Sequence, residues 1–146
     1  MSVVIEKIKD LKRQAKYFRS FHADYKAKFP GLIEGGSRIC LDLGSKVLKI
    51  PYPGTAAACA NVTAMAGKVP WSVLSAGVDH ATFIGQVEIA MANGASGVIA
   101  GRSLWKDCVS LDRAQQKQLL LTRALPRLRE IQAILARYPR RLELAA

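Results

Sequence analysis

Three short apolar runs recur at near-equal intervals in this chain of 146 residues: KVLKIPYP at Lys46–Pro53, WSVLSA at Trp71–Ala76 and GVIA at Gly97–Ala100. Each is bounded by Gly or Pro and is rich in Val, Leu and Ile, which reads as a strand. Helical patterns separate them. Thr55 is placed to cap an alanine-rich helix that runs to Ala66 and stops at Gly67, and Asp79 to cap a second that carries Phe83, Val87, Ala90 and Met91 inward and ends at Asn93-Gly94. After Gly97–Ala100 come Gly101-Arg102-Ser103 and a short helical turn, LWKDC. Gln115–Tyr138 follows as a helix that Pro126 should kink or break, with Leu128, Ile131, Ile134 or Leu135, and Tyr138 as its last stripe. Strands alternating with helices imply right-handed crossovers and a parallel sheet, hence an α/β fold with strands apolar on both faces.

Upstream, Val4, Ile5, Ile8, Leu11, Ala15 and Phe18 fall at helical spacing among Lys and Arg, predicting a basic amphipathic helix in residues 1–29. Pro30-Gly31 punctuates the chain, and Leu32, Ile33, Ile39, Cys40 and Leu43 suggest another helix, weakened by Gly35-Gly36 and stopped at Gly44. The net charge of +11 is concentrated at the two ends: eight basic residues against three acidic in 1–30, and eight against one in 113–141. The apolar middle is therefore where chemistry is expected. Aromatic residues do not interleave with the basic ones in a strand-binding pattern, so nucleic acid is set aside as a partner and the basic faces read as solvated. No apolar run approaches the roughly 20 residues of a membrane span, and the charged N-terminus does not resemble a signal peptide, so a cytoplasmic protein without membrane contact is expected. Cys40, Cys59 and Cys108 have neither paired count nor C-x-x-C spacing and read as small core residues; no metal or cofactor is expected.

Strand parity puts Val47, Lys49 and Pro51 on one face and Leu48, Ile50 and Tyr52 on the other. With both faces covered, Lys49 would be an amine inside a core, which is costly unless it is neutral, paired or chemically employed. The plain alternative is a lysine snorkelling from a strand edge. Lys46 has the opposite parity and reads as surface. In parallel α/β proteins the C-terminal strand ends build the site, which brings Lys49, Ser75-Ala76-Gly77 and Gly101-Arg102 together. Small residues there let backbone amides approach an anion, and an arginine at a helix start suits phosphate. An amine beside a phosphate cradle suggests a Schiff base with a phosphorylated carbonyl compound. His80 reads as first-turn surface more readily than as an acid or base, and His22 less still as either; Trp71, Trp105 and Tyr52 read as packing residues.

The run VPWSVLSAGVDHATFIGQVEIAMANGASGVIAGRSLWK, Val69–Lys106, resembles the last two strand–helix units of class I aldolases of the deoxyribose-phosphate and tagatose-bisphosphate aldolase group, nearest the tagatose-1,6-bisphosphate and sulfofructose-phosphate branch. PGLIEGGSRICLDLGSKVLKIPYPG resembles that group's fifth helix and sixth strand. The resemblance covers Pro30 to about Arg113; residues 1–29 lie outside it. It implies that Lys49 is the Schiff-base lysine and that Ser75, Gly77, Gly101 and Arg102 hold substrate phosphate. It implies in addition a partial (β/α)8 barrel of about strands six to eight at residues 30–146. Burial would keep part of the lysine neutral near pH 7. A full barrel needs about 250 residues, and the group's general acid and base sit on early strands that this sequence does not show; Asp79 is explained as a cap. The expectation is a truncated or divergent carbon–carbon lyase of carbohydrate metabolism acting on a phosphorylated sugar. It would work as a homo-oligomer or with a partner chain that completes the barrel. The alternative is a non-catalytic half-barrel that keeps phosphate binding or serves in assembly.

Overall fold

A computed structural model describes residues 23–138; the basic helix expected in the first 20 residues lies outside them. A helix over residues 23–42 (α1) precedes strand β1 (Leu48–Pro51). There follow α2 (Ala56–Ala66), β2 (Trp71–Leu74), α3 (His80–Ala92), β3 (Gly97–Ile99), α4 (Arg102–Trp105), α5 (Arg113–Leu119), a π-turn (Leu120–Ala124) and α6 (Leu125–Ala136). The three strands form one parallel sheet in the order β1-β2-β3. The expected α/β alternation and parallel sheet are thus present, each strand somewhat shorter than its apolar run.

The caps are those the sequence indicates. Thr55 Oγ1 accepts from the Ala58 amide at 3.1 Å, and Asp79 accepts from the Thr82 amide at 2.9 Å and its hydroxyl at 2.6 Å. α1 closes through paired bonds from the Gly44 amide to the Leu41 carbonyl and from Ser45 to Cys40, with Gly44 at φ +84. This left-handed closure leaves no strained side chain.

Two proline expectations need correction. α1 runs through Pro30 and Gly31 without a break. Pro30 gives up one helical donor, but its ring packs beside Gly54, where a Cβ would meet its Cγ at 3.4 Å, so tertiary contact offsets the local preference. At the other end, α5, the π-turn and α6 run on without interruption, because the wide turn just before Pro126 takes up the misfit. The Leu125 amide reaches back five residues to the Leu120 carbonyl. The turn after Gly101 also starts two residues earlier than LWKDC suggested, at Arg102.

Register sorts the sheet residues by face. Leu48 pairs with Trp71, and Ile50 with Val73, which pairs in turn with Val98; these point to the helices. They meet Cys59, Val62 and Ala66 of α2, Phe83, Val87, Ala90 and Met91 of α3, and Ile131 and Ile134 of α6 in a single core. The apolar stripes anticipated on α3 and α6 are therefore the buried ones, although Leu128 stays half-exposed. The opposite face carries Lys49, Ser72 and Gly97 in one row and Pro51, Leu74 and Ile99 in the next. It is open: β1 alternates buried and exposed, with Val47 51% and Ile99 39% accessible. The expectation of strands covered on both faces is corrected accordingly. Among the described residues the core helices lie on one side; at the edge of β1, α1 borders a cavity lined by Gly36, Ser37, Cys40, Val47 and Lys49. Cys40 is likewise exposed, whereas Cys59 and Cys108 are core residues as expected.

A polar pin closes the sheet-to-helix layer. The buried Trp71 indole donates to Thr63 Oγ1 at 2.9 Å, and that hydroxyl donates to the Asn93 carbonyl at 2.6 Å. Gly94, at φ +97, lies so close that a Cβ there would stand 2.5 Å from the Thr63 methyl. One hydroxyl thus satisfies two groups from different elements and holds β2, α2 and the end of α3 together.

Candidate active site at the strand ends

Lys49 sits on the open face of β1, paired in register with Ser72. It is exposed, so the dry core considered from sequence is not present around it. The β2–α3 turn begins three residues beyond Ser72, which at about 3.3 Å per residue sets Lys49 roughly 10 Å from it, one strand over. That spacing suits a small molecule with a reactive carbonyl at one end and an anion at the other.

The two turns at the far end are fastened to each other. The Ser75 amide donates to the Ile99 carbonyl at 3.2 Å, and Ser75 Oγ accepts from the Gly101 amide at 3.4 Å. Ser75 is 5% accessible; the geometry makes it a tie between the β2 and β3 ends, with its hydroxyl proton left to donate. Ala76 has φ +48 and Gly77 φ +82, closing a tight turn in which the Val78 amide bonds the Ser75 carbonyl. Positive φ is costly for alanine, so this conformation is imposed by the turn. It leaves the Ala76 and Gly77 amides without backbone acceptors among the described residues. The guanidinium of Arg102 lies over Gly77, 3.2 Å from the position of a Cβ. A side chain at 77 would displace it, which is the local reason for glycine. Gly101 opens α4 without a side-chain cap.

α4 is a single turn, so the helix-terminus effect expected from sequence is small here. The positive potential comes instead from side chains, Arg102 and also Lys106, whose Nζ donates to the Gly77 carbonyl at 2.9 Å. Sequence reading passed over Lys106; the available signal was its position four residues after Arg102, on the same side of a helical turn. The α4 segment is held from behind by Arg127, which donates to both Asp107 carboxylate oxygens, at 2.5 and 2.9 Å, and to the Leu104 carbonyl at 2.8 Å. These bonds, with the Arg123 charge adding to them, hold the Asp107 carboxyl far below the usual carboxylate range. Like the Thr63 pin, this clamp was not visible in sequence, because its partners are distant along the chain.

His80 is turned to α6, where Nε2 lies 2.7 Å from Glu130; it ties helix to helix and does not reach the open face. Trp71 packs in the core, while Trp105 is 45% exposed and so is not the packing residue expected. Among the described residues no cluster of three or more His, Cys, Asp or Glu could hold a metal, and no helix is long and apolar enough to cross a membrane.

A parallel α/β unit here sets an amine on the sheet face and a cationic glycine turn at the carboxyl ends of the strands, the end where such folds build their sites. Sequence comparison gives the family. Residues 9–107 match the DeoC/LacD family aldolases, and the chain belongs to that family. It is 34% identical over 90 residues to the class 1 fructose-bisphosphate aldolase of Thermoproteus tenax, covering 58% of this chain and 34% of that protein. It is also 34% identical over 82 residues to the protein of the same name from Halobacterium salinarum, covering 54% and 30%. The matched stretch thus spans about a third of these relatives. The resemblance to class I aldolases of this group holds at the level of the family.

Proposed function

We propose that this chain supplies the Schiff-base and phosphate-holding part of a class I aldolase. The observation that carries the reading is the placement of Lys49 on the open sheet face about 10 Å from a turn where Arg102 covers Gly77. The carbonyl carbon of a phosphorylated ketose accepts the lone pair of neutral Lys49 Nζ, and loss of water gives an iminium. The neighbouring carbon–carbon bond then breaks with its electrons drawn to the iminium, giving an enamine and releasing an aldehyde. Protonation and hydrolysis free the second product and regenerate the amine. The Gly77 amide, Gly101, Arg102 and the Ser75 hydroxyl hold the phosphate. The base that takes the substrate's hydroxyl proton is not among Lys49 and these turn residues, and it has to stand on the wall facing β1. That wall comes from further polypeptide, a second copy or a partner chain completing a (β/α)8 barrel, and its arrival also shields the open face.

Trapping tests this reading. The protein, mixed with fructose-1,6-bisphosphate, tagatose-1,6-bisphosphate or dihydroxyacetone phosphate and reduced with borohydride, is expected to carry an adduct on Lys49 by peptide mass spectrometry, absent in Lys49→Met. No adduct with any of these ketoses, in a preparation that binds phosphate, would sink the catalytic reading. The outcome would favour the second one, a non-catalytic half-barrel that retains the anion site. The exposed position of Lys49 is the observation on that side.

A further inference from the structure

Lys106 is not among the groups assigned above to hold the phosphate, yet its ammonium and the Arg102 guanidinium converge on one peptide, at Gly77. The charges around that turn can be counted. Asp79 lies two residues further on, ionised and bonded first by the Thr82 hydroxyl and amide, with the Lys106 charge also acting on it. Asp107 is committed to Arg127 and Arg123, and His80 to Glu130. Arg102 and Asp79 alone would leave the turn close to neutral; Lys106 makes it positive. Of its three N–H donors, one is used on the Gly77 carbonyl.

We propose that Lys106 is a specificity-determining cation of this anion site, selecting a doubly charged phosphate monoester over a singly charged phosphodiester. This rests on the phosphate reading given above and goes beyond it by assigning the discrimination to one side chain. The free amides and the fork of Arg102 meet the oxygens of either ligand, whereas the second positive charge at Lys106 adds an attraction in proportion to the ligand's charge. The site is exposed, so screening keeps the effect modest.

The test uses the whole chain titrated by calorimetry with methyl phosphate and with dimethyl phosphate at pH 8, where the first is a dianion and the second a monoanion. The wild type is expected to prefer methyl phosphate. Lys106→Met should lose about fivefold in affinity for methyl phosphate and less than about twofold for dimethyl phosphate, and Lys106→Arg should keep the preference. Equal losses for both ligands would make Lys106 merely structural, and no loss would make it a bystander; either overturns the inference while leaving the phosphate reading intact. A wild type that binds neither ligand overturns the phosphate reading and this inference with it.

Discussion

Thr63 offers a direct test of what holds the layer of helices on the sheet. Thr63→Val preserves the shape of the side chain and removes both of its bonds, stranding the indole N–H of Trp71, a residue 1% accessible, and the Asn93 carbonyl. Leaving a buried polar group unpaired costs about 1–3 kcal/mol. Two such groups, less a small gain from the added apolar surface, give an expected loss of about 2–4 kcal/mol. Thr63→Ser keeps the hydroxyl and sheds one methyl, for about 1 kcal/mol. The assay is urea unfolding followed by tryptophan fluorescence, with the slope of the transition required to stay constant so that the midpoint reports stability. The order wild type, then Ser, then Val is the expected result. A Val variant within about 0.5 kcal/mol of wild type, or one more stable than Ser, would show that the hydroxyl bonds are not what the pin contributes.

Gly94→Ala should cost more than about 2 kcal/mol, since it meets the Thr63 methyl at 2.5 Å and takes φ +97, and part of that loss should return in a Thr63→Ala background. Asp107→Asn should destabilise at pH 7, and its difference from wild type should shrink in acid. The folded carboxyl lies below its ordinary 3.8, so its contribution is present above about pH 4 and is lost as pH falls further; chemical unfolding at stepped pH reads this. Burial pushes the Cys59 thiol up to about 11, so at pH 8 a disulfide reagent should label exposed Cys40 and spare Cys59 until the protein unfolds. Stability should also decline as pH rises from about 9 to 11, because only the unfolded thiol ionises in that window.

Much of the layer structure was legible because its signals are local. Thr55 and Asp79 cap the helices that follow them, and the period of two along Lys46–Pro53 separates Lys49 from Leu48 and Ile50. The misses are where distant groups decide. Pro30 reads as a stop in isolation and is carried through by its contact with Gly54; Pro126 reads as a break and is absorbed by a wide turn behind it. Thr63 looks like any helix threonine until Asn93, 30 residues on, and Trp71 are placed against it. Lys106 is one basic residue in a basic chain, and only the folded turn puts it on Gly77. At the candidate site, the β2 and β3 end turns named from sequence do meet in the structure, while the environment of Lys49 differs from the one expected, because parity says which side Lys49 faces and cannot say what stands there.

That last point bears on how the proposed chemistry would be switched on. The open face exposes Val47 and Ile99 alongside Lys49, and they belong to one surface. Any polypeptide that covers the apolar pair must also take water from the amine between them. Association is favoured by the apolar surface it buries, at about 25 cal/mol per Å². The same contact that stabilises an assembly would therefore also exclude water from the chemistry proposed for Lys49. If the proposed aldolase reading holds, covering the open face and trapping at Lys49 are coupled, and borohydride trapping on Lys49 should rise with protein or partner concentration in step with assembly.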